Sequence, residues 1–339
     1  MSHKTDVVVI GAGPVGLFSV FEIGMLKMKC HVIDALDFIG GQCSALYPEK
    51  PIYDIPAYPR ISAQDLINNL EKQIEPFDPQ YHLGQQVTKF SKRQDGSFDV
   101  VTSKGTEINA KAIIIAAGCG AFGPNRPPLD NIEEFEKTSI MYSVRNRESL
   151  RGKDVVIAGG GDSAVDWAID LSEITKSLTI VHRRPKFRCA PESASKLQTL
   201  SDQGKLTIAT PYQLSALHGN AQKLETVDVV DFDGAVKTLK CDILIPFFGL
   251  SMDLGPILDW SLNIEKKHVS VTPSAMETNI PGVFAIGDVA TYAGKLKLIL
   301  TGFSEAALAA HSIYPILNPD QELHFEYSTT KGVKSDGKA

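Results

Sequence analysis

Gly11-Ala12-Gly13-Pro14-Val15-Gly16 is the stretch that decides the fold. It follows residues 6–10, an apolar β-branched run without alternation, which predicts a buried parallel strand. Residues 13–27 then read as a helix and 29–34 as a second strand. Strand, glycine turn, helix and strand within about thirty residues make a βαβ unit. In such a turn Gly11 permits the tight bend, Gly13 lets the backbone approach a pyrophosphate, and Gly16 lets helix and strand pack closely. The helix N-terminus adds free N–H groups and the positive end of its dipole.

The plan recurs. Gly159-Gly160-Gly161-Asp162-Ser163-Ala164 stands between a strand at 154–158 and a helix at 163–175, with another strand at 178–182. The pattern allows the final Ala164 in place of glycine. The two copies differ at the ribose-reading position. Twenty-three residues after Gly11 stands Asp34; at the same distance after Gly159 stands His182, followed by Arg183 and Arg184. An acid suits free ribose hydroxyls, whereas guanidinium forks suit a 2′-phosphate. The chain therefore reads as holding two different dinucleotides, the second phosphorylated on its ribose. Its candidate contacts are Gly159, Gly161, Ala164, His182, Arg183, Arg184 and Arg188. His182 has the chemistry of a general base, but its place in the arginine run points to phosphate contact instead.

At 339 residues the chain is long enough for two domains. Hydrophobic content of 43% and charged content of 22% are those of a globular protein. A net charge of −6 argues against general nucleic-acid binding. No apolar run approaches the ~20 residues that span a bilayer. The polar N-terminus lacks a signal-peptide layout, so a cytoplasmic location is expected. Cys30, Cys43, Cys119, Cys189 and Cys241 are too far apart for a CxxC pair or a short-spaced zinc site. No Ser/His/Asp set, HExxH or DxDxDG loop occurs, and no metal is expected.

Between the copies, 97–102 and 106–108 read as a small antiparallel piece and 110–116 as an apolar strand. Residues 123–128 are rich in Gly and Pro and mark a crossover. Pro281-Gly282 marks a second break before the strand 283–286, which ends in Gly287-Asp288. Residues 304–313 read as a late helix, and a polar tail starts at Asn318. The expected fold is α/β: two Rossmann-like dinucleotide-binding domains of three-layer ββα type, the second inserted into the first. The expected boundaries are 1–119 with 284–339, and 120–283. Asp288 ends a buried strand, where ligands gather in such sheets, but a lone Gly-Asp pair reads equally as a turn. Tyr47 and Tyr327, on their residues alone, read as ordinary core or surface tyrosines.

Together these segments resemble the ferredoxin–NADP reductases of the thioredoxin-reductase-like type. The resemblance rests on both glycine motifs (the second as far as Ala168), Gly40-Gly41-Gln42, Leu46-Tyr47-Pro48-Glu49-Lys50, Ile52-Tyr53-Asp54 and His182–Arg188. It also rests on Met276-Glu277-Thr278-Asn279-Ile280, Gly287-Asp288 and Tyr327-Ser328-Thr329. The Leu-Tyr-Pro-Glu-Lys stretch is specific to that group. The resemblance implies FAD on the first domain and NADPH on the second, with hydride passing to the flavin and single electrons to ferredoxin or flavodoxin. It implies that Asp34 holds the adenosine ribose, Gln42 supports the flavin side and Tyr47 stacks on one flavin face. Val87 then meets adenine through its backbone, Phe122 borders the site and Asp288 binds the ribityl or pyrophosphate region. Tyr327 stacks on the other flavin face and Thr329 hydrogen-bonds there. A homodimer is implied as well. The sequence departs from the pattern at Pro185, where an acid is common, at Cys43 for a usual leucine, and at Ala57-Tyr58 for Gly-Phe. The rival readings are an NADPH diaphorase or quinone reductase, a redox-sensing binding protein, and a thioredoxin-like disulfide reductase. The last is disfavoured because no CxxC is present.

Overall fold

The strand β1 (Ser2–Ile10) is the spine of the first unit, with Val7, Val8 and Val9 buried on both faces. That burial is why its sequence is a continuous apolar run. The helix α1 (Pro14–Met25) and the strand β2 (Cys30–Ile33) complete the expected unit. β2 pairs with β1 in parallel, Val7 opposite Cys30 through Ile10 opposite Ile33. In the computed structural model the described residues are 2–321 and 323, apart from 137, 221 and 222.

The chain divides into two units: Met1–Phe122 with Met252–Ala339, and Gly123–Ser251. In the first, the sheet order is Gln80–His82, β2, β1, Glu107–Ile115, Phe98–Thr102, Val87–Lys92. The two short strands expected at 106–108 and 110–116 are one long strand, Glu107–Ile115. It branches the sheet along one edge. Residues 107–110 pair antiparallel with Phe98–Thr102, while 113–115 pair in parallel with Val283–Ala285. Helices Ala63–Ile74 and Ile299–Leu317 pack with α1 on one face, and the antiparallel strands cover the other. The late helix is longer than the 304–313 expected: it starts at Ile299, includes Gly302 and runs through Pro315 to Leu317.

The second unit repeats the plan on a smaller scale. Its parallel sheet runs Thr207–Ala209, Ser177–Val181, Asp154–Ala158, Ile243–Pro246. A three-stranded antiparallel sheet, Gln213–Asn220, Lys223–Val230 and Val236–Lys240, accompanies it. The sequence reading leaves 213–240 without an element.

The chain leaves the first unit after Phe122 and rejoins it at Met252, in place of the expected breaks at 119/120 and 283/284. Residues 252–283 group with the first unit because Leu254, Ile257, Trp260, Leu262 and Val269 share one buried core with Val87, Phe98 and Val283. Pro281-Gly282 is a turn within that unit. Turn residues punctuate a chain without stating which core it joins next. Among the described residues no helix is long and apolar enough to cross a membrane.

Candidate dinucleotide sites

The first glycine turn is shaped by close backbone contacts, one within the turn and one with the end of the strand Glu107–Ile115. Gly11 adopts φ +113°, and a Cβ there would lie 2.3 Å from the Ala116 carbonyl oxygen. A Cβ on Gly16 would lie 1.9 Å from the Gly11 oxygen. Only glycine fits at these positions. Gly13 differs: nothing lies within 4 Å of an added Cβ, and the residue faces an open cleft. No side chain caps α1, so the free N–H groups of its first turn remain for a ligand.

Asp34 is fastened to this turn. Ala12 N–H donates to Asp34 Oδ2 at 2.6 Å and Leu36 N–H to Oδ1 at 2.8 Å. Burial pushes the Asp34 carboxyl above its ordinary range, and these two N–H groups pull it back. Each oxygen keeps a further lone pair for a ligand hydroxyl.

The cleft encloses about 1120 Å³, its open mouth included. It brings together Gly11, Gly13, Asp34, Gln42, Tyr47, Val87 and Asp288, although they span more than 270 positions of sequence. Gly16 lies behind the turn against Gly11. Gly40 N–H donates to the Ala12 oxygen at 2.8 Å, which lays the Gly40-Gly41-Gln42 segment across the glycine turn. The Gln42 side chain hydrogen-bonds Cys119. Cys43 Sγ lies 4.0 Å from the Tyr47 hydroxyl. Burial is the main force pushing that hydroxyl up, so Tyr47 presents a neutral ring to the cleft. Phe122 lies in the strand Ala121–Pro124, whose side chains are not described. Tyr327 and Thr329 lie outside the described residues.

Open space along a glycine turn, an acid at its ribose end and a long cleft between fit a dinucleotide such as FAD. Sequence reasoning missed part of the cleft wall: Leu254, Ile257, Trp260, Leu298 and Ile299. Trp260 donates from Nε1 to the Thr88 oxygen at 3.3 Å and meets Phe90 edge-on at 5.2 Å. Nothing local in the sequence marks these residues beyond their being apolar.

In the second unit Gly159 packs against the helix start. A Cβ on it would meet Ala164 Cβ at 2.9 Å and the Phe247 oxygen at 2.8 Å. Gly161, like Gly13, faces open space. The segment after Val181 folds back over the turn. The His182 ring lies on Gly160, and Arg188 N–H donates to the Gly160 oxygen at 2.6 Å. The ring stacks on Phe187 at 5.4 Å. Burial first, and then the charges of Arg183 and Arg188, lower the His182 pKa, opposed by a hydrogen bond to the Lys186 backbone. The imidazole is therefore neutral at pH 7, while Arg183, Arg184 and Arg188 are exposed cations.

Residues 5–310 match the family described as pyridine nucleotide-disulphide oxidoreductase. The chain is 60% identical over 330 residues to the ferredoxin–NADP reductase of Acidiphilium cryptum (strain JF-5), covering 97% of each chain. It is 56% identical over 333 residues to that of Rhodospirillum rubrum, covering 97% of this chain and 96% of the other. The chain belongs to the ferredoxin–NADP reductases of the pyridine nucleotide-disulphide oxidoreductase family. Among solved structures, Lactococcus lactis thioredoxin reductase matches with TM-score 0.79 at 25% identity, covering 93% of this chain and 100% of that one. T. acidophilum thioredoxin reductase, at 23% identity and TM-score 0.79, covers 92% of this chain and 98% of its own and shares the fold.

A ferredoxin–NADP reductase is an oxidoreductase, and the dithiol that the disulfide reading needs is missing here. All five cysteines are free, and burial first raises every thiol above its usual pKa. Cys43, on the cleft, is pushed up to about 11, which leaves no reactive thiolate beside the site.

Proposed function

We propose that this reductase carries electrons between NADPH and ferredoxin, with flavodoxin as an alternative carrier, through FAD bound in the cleft of the first unit. The observation that supports this most is the contrast between two equivalent glycine turns. One ends at a carboxylate, Asp34, and the other at Arg183-Arg184. FAD supplies the exchange between electron pairs and single electrons that no side chain provides. The chain's own residues bind and orient. The first turn of α1 receives the pyrophosphate at Gly13, and Asp34 accepts from ribose hydroxyls. Tyr47 gives a flat neutral wall to the flavin, and Asp288 accepts from the ribityl chain. In the second unit Gly161 receives the NADPH pyrophosphate and the arginines pair with its 2′-phosphate. No acid or base is assigned to the chemistry, because hydride transfer between two rings needs position rather than a proton donor. The same proposal includes the homodimer and the cytoplasmic setting implied by the resemblance.

The test is steady-state NADPH oxidation by the FAD-loaded protein with ferredoxin, a quinone and a protein disulfide as separate acceptors. Ferredoxin reduction is expected to dominate. Turnover with the quinone or the disulfide alone would overturn the proposal.

A further inference from the structure

We propose that Glu305 is a positioning residue of the flavin site, holding the Gly287-Asp288 turn at a set distance from the Gly11–Gly16 turn. The proposal rests on the reading that Asp288 faces FAD.

Glu305 is the only Asp, Glu, Lys or Arg in the helix Ile299–Leu317. It sits on the buried face with Gly302, Ala306, Ala309 and Ala310, and is 2% exposed. A buried carboxylate is costly unless it is paired and hydrogen-bonded. This one is. Oε2 accepts from Gly287 N–H at 2.7 Å, and Oε1 accepts from the Tyr292 hydroxyl at 2.7 Å. The Lys295 ammonium also bonds Oε1, and that side chain is itself only 5% exposed. All three donors come from the loop that joins the strand Val283–Ala285 to the helix. The carboxylate gathers that loop onto the helix.

The geometry gives the cluster a purpose beyond holding the core. Replacing a buried ion pair by apolar side chains is often neutral or stabilising, so stability alone is a weak reason to keep one. Gly287 and Asp288 both line the cleft. Val15, in the first turn of α1, sits against both Gly287 and Gly302. A Cβ on Gly287 would be 3.5 Å from its side chain, and one on Gly302 would be 2.3 Å from Val15 Cγ2. One helix turn thus touches the glycine turn through Gly302 and grips the Asp288 turn through Glu305. A carboxamide cannot substitute. It turns an N–H group toward a donor and leaves Lys295 without a counter-charge.

Flavin dissociation constants of the full-length protein, read from fluorescence on dilution of the holoprotein, test this. Glu305→Gln and Asp288→Asn are each expected to weaken FAD binding about tenfold or more. The double variant should bind like Asp288→Asn alone, because both changes act on one turn. Wild-type affinity in Glu305→Gln, or losses that multiply in the double variant, would overturn the proposal. Wild-type affinity in Asp288→Asn would instead sink the reading of Asp288 and the proposal with it. Should Glu305→Gln fail to fold, Tyr292→Phe removes one donor to the same carboxylate. It should raise the constant by roughly two- to fivefold, and not at all on the Asp288→Asn background. An unchanged constant in Tyr292→Phe would again refute the proposal.

Discussion

The ring of His182 lies on Gly160: a Cβ on that glycine would sit 2.2 Å from His182 Cε1. The contact explains why the variable second position of the G-x-G-x-x-A pattern is itself glycine here. A methyl group has no room beside a ring that also stacks on Phe187.

Gly160→Ala is therefore expected to displace His182 and the segment that carries the arginines. Arg188, whose N–H bonds the Gly160 oxygen, moves with it. FAD content should stay unchanged while the KM for NADPH rises about tenfold, the equivalent of ~1.4 kcal/mol. Unaltered NADPH kinetics would show that the ring can swing away at no cost to binding.

Arg183 and Arg184 should separate NADPH from NADH. A charge-assisted phosphate contact contributes about 1.5–3 kcal/mol, or roughly ten- to a hundredfold per arginine. Alanine at both positions should lower kcat/KM for NADPH by that order and leave the NADH value nearly unchanged. Equal losses with both nucleotides would make the pair structural.

Acid should loosen the first unit through its histidines. His31 Nδ1 lies 3.0 Å from His82 Nε2, and the His3 ring centre is 5.5 Å from that of His31. Burial, then the neighbouring imidazoles of His82 and His3, lower the His31 pKa to about 4 from an ordinary 6.5. The unfolded chain accepts a proton near 6.5 that the folded chain refuses until about 4. This contribution to stability is complete above pH 6.5 and is lost as the pH falls toward 4, by an amount on the order of 2 kcal/mol. Urea unfolding midpoints across that range should fall less steeply for His31→Leu than for the parent. Parallel slopes would remove His31 from the acid response.

Turnover should not need thiols. With all five cysteines changed to alanine, the protein should bind FAD and still reduce ferredoxin. It should be less stable, since Cys30, Cys43 and Cys241 are buried and their loss leaves small voids. A folded, FAD-loaded variant without activity would revive the disulfide reading.

The βαβ units are legible in the order of residues because their signals are local. A glycine turn between an apolar run and a helix states its own geometry, and the spacing from Gly11 to Asp34 is the length of one helix and one strand. The close approach of Gly16 to the Gly11 oxygen follows from that local plan, whereas Gly11 is also pressed by the Ala116 carbonyl, which only folding brings to it. The same holds for the opposite charges of Asp34 and Arg183, which need only residue type and position.

What the sequence could not supply is which distant segments close around those turns. Leu254, Ile257 and Trp260 wall the cleft from more than 200 positions beyond β1, and by residue type they are ordinary core. Residues 252–283 join the first unit through burial with Val87 and Phe98, although the Pro281-Gly282 turn suggests otherwise. His182 shows the same limit in a single side chain. Its neighbours in sequence read as a phosphate-binding run, while its packing on Gly160 and Phe187 and the burial that lowers its pKa come only with folding. Glu305 is visible as a lone acid among alanines, but its purpose depends on the Gly287 N–H that folding brings to it. Residue order dictates the turns, because they are made by neighbours; burial decides the walls and the protonation, because those depend on contacts that only the folded chain creates.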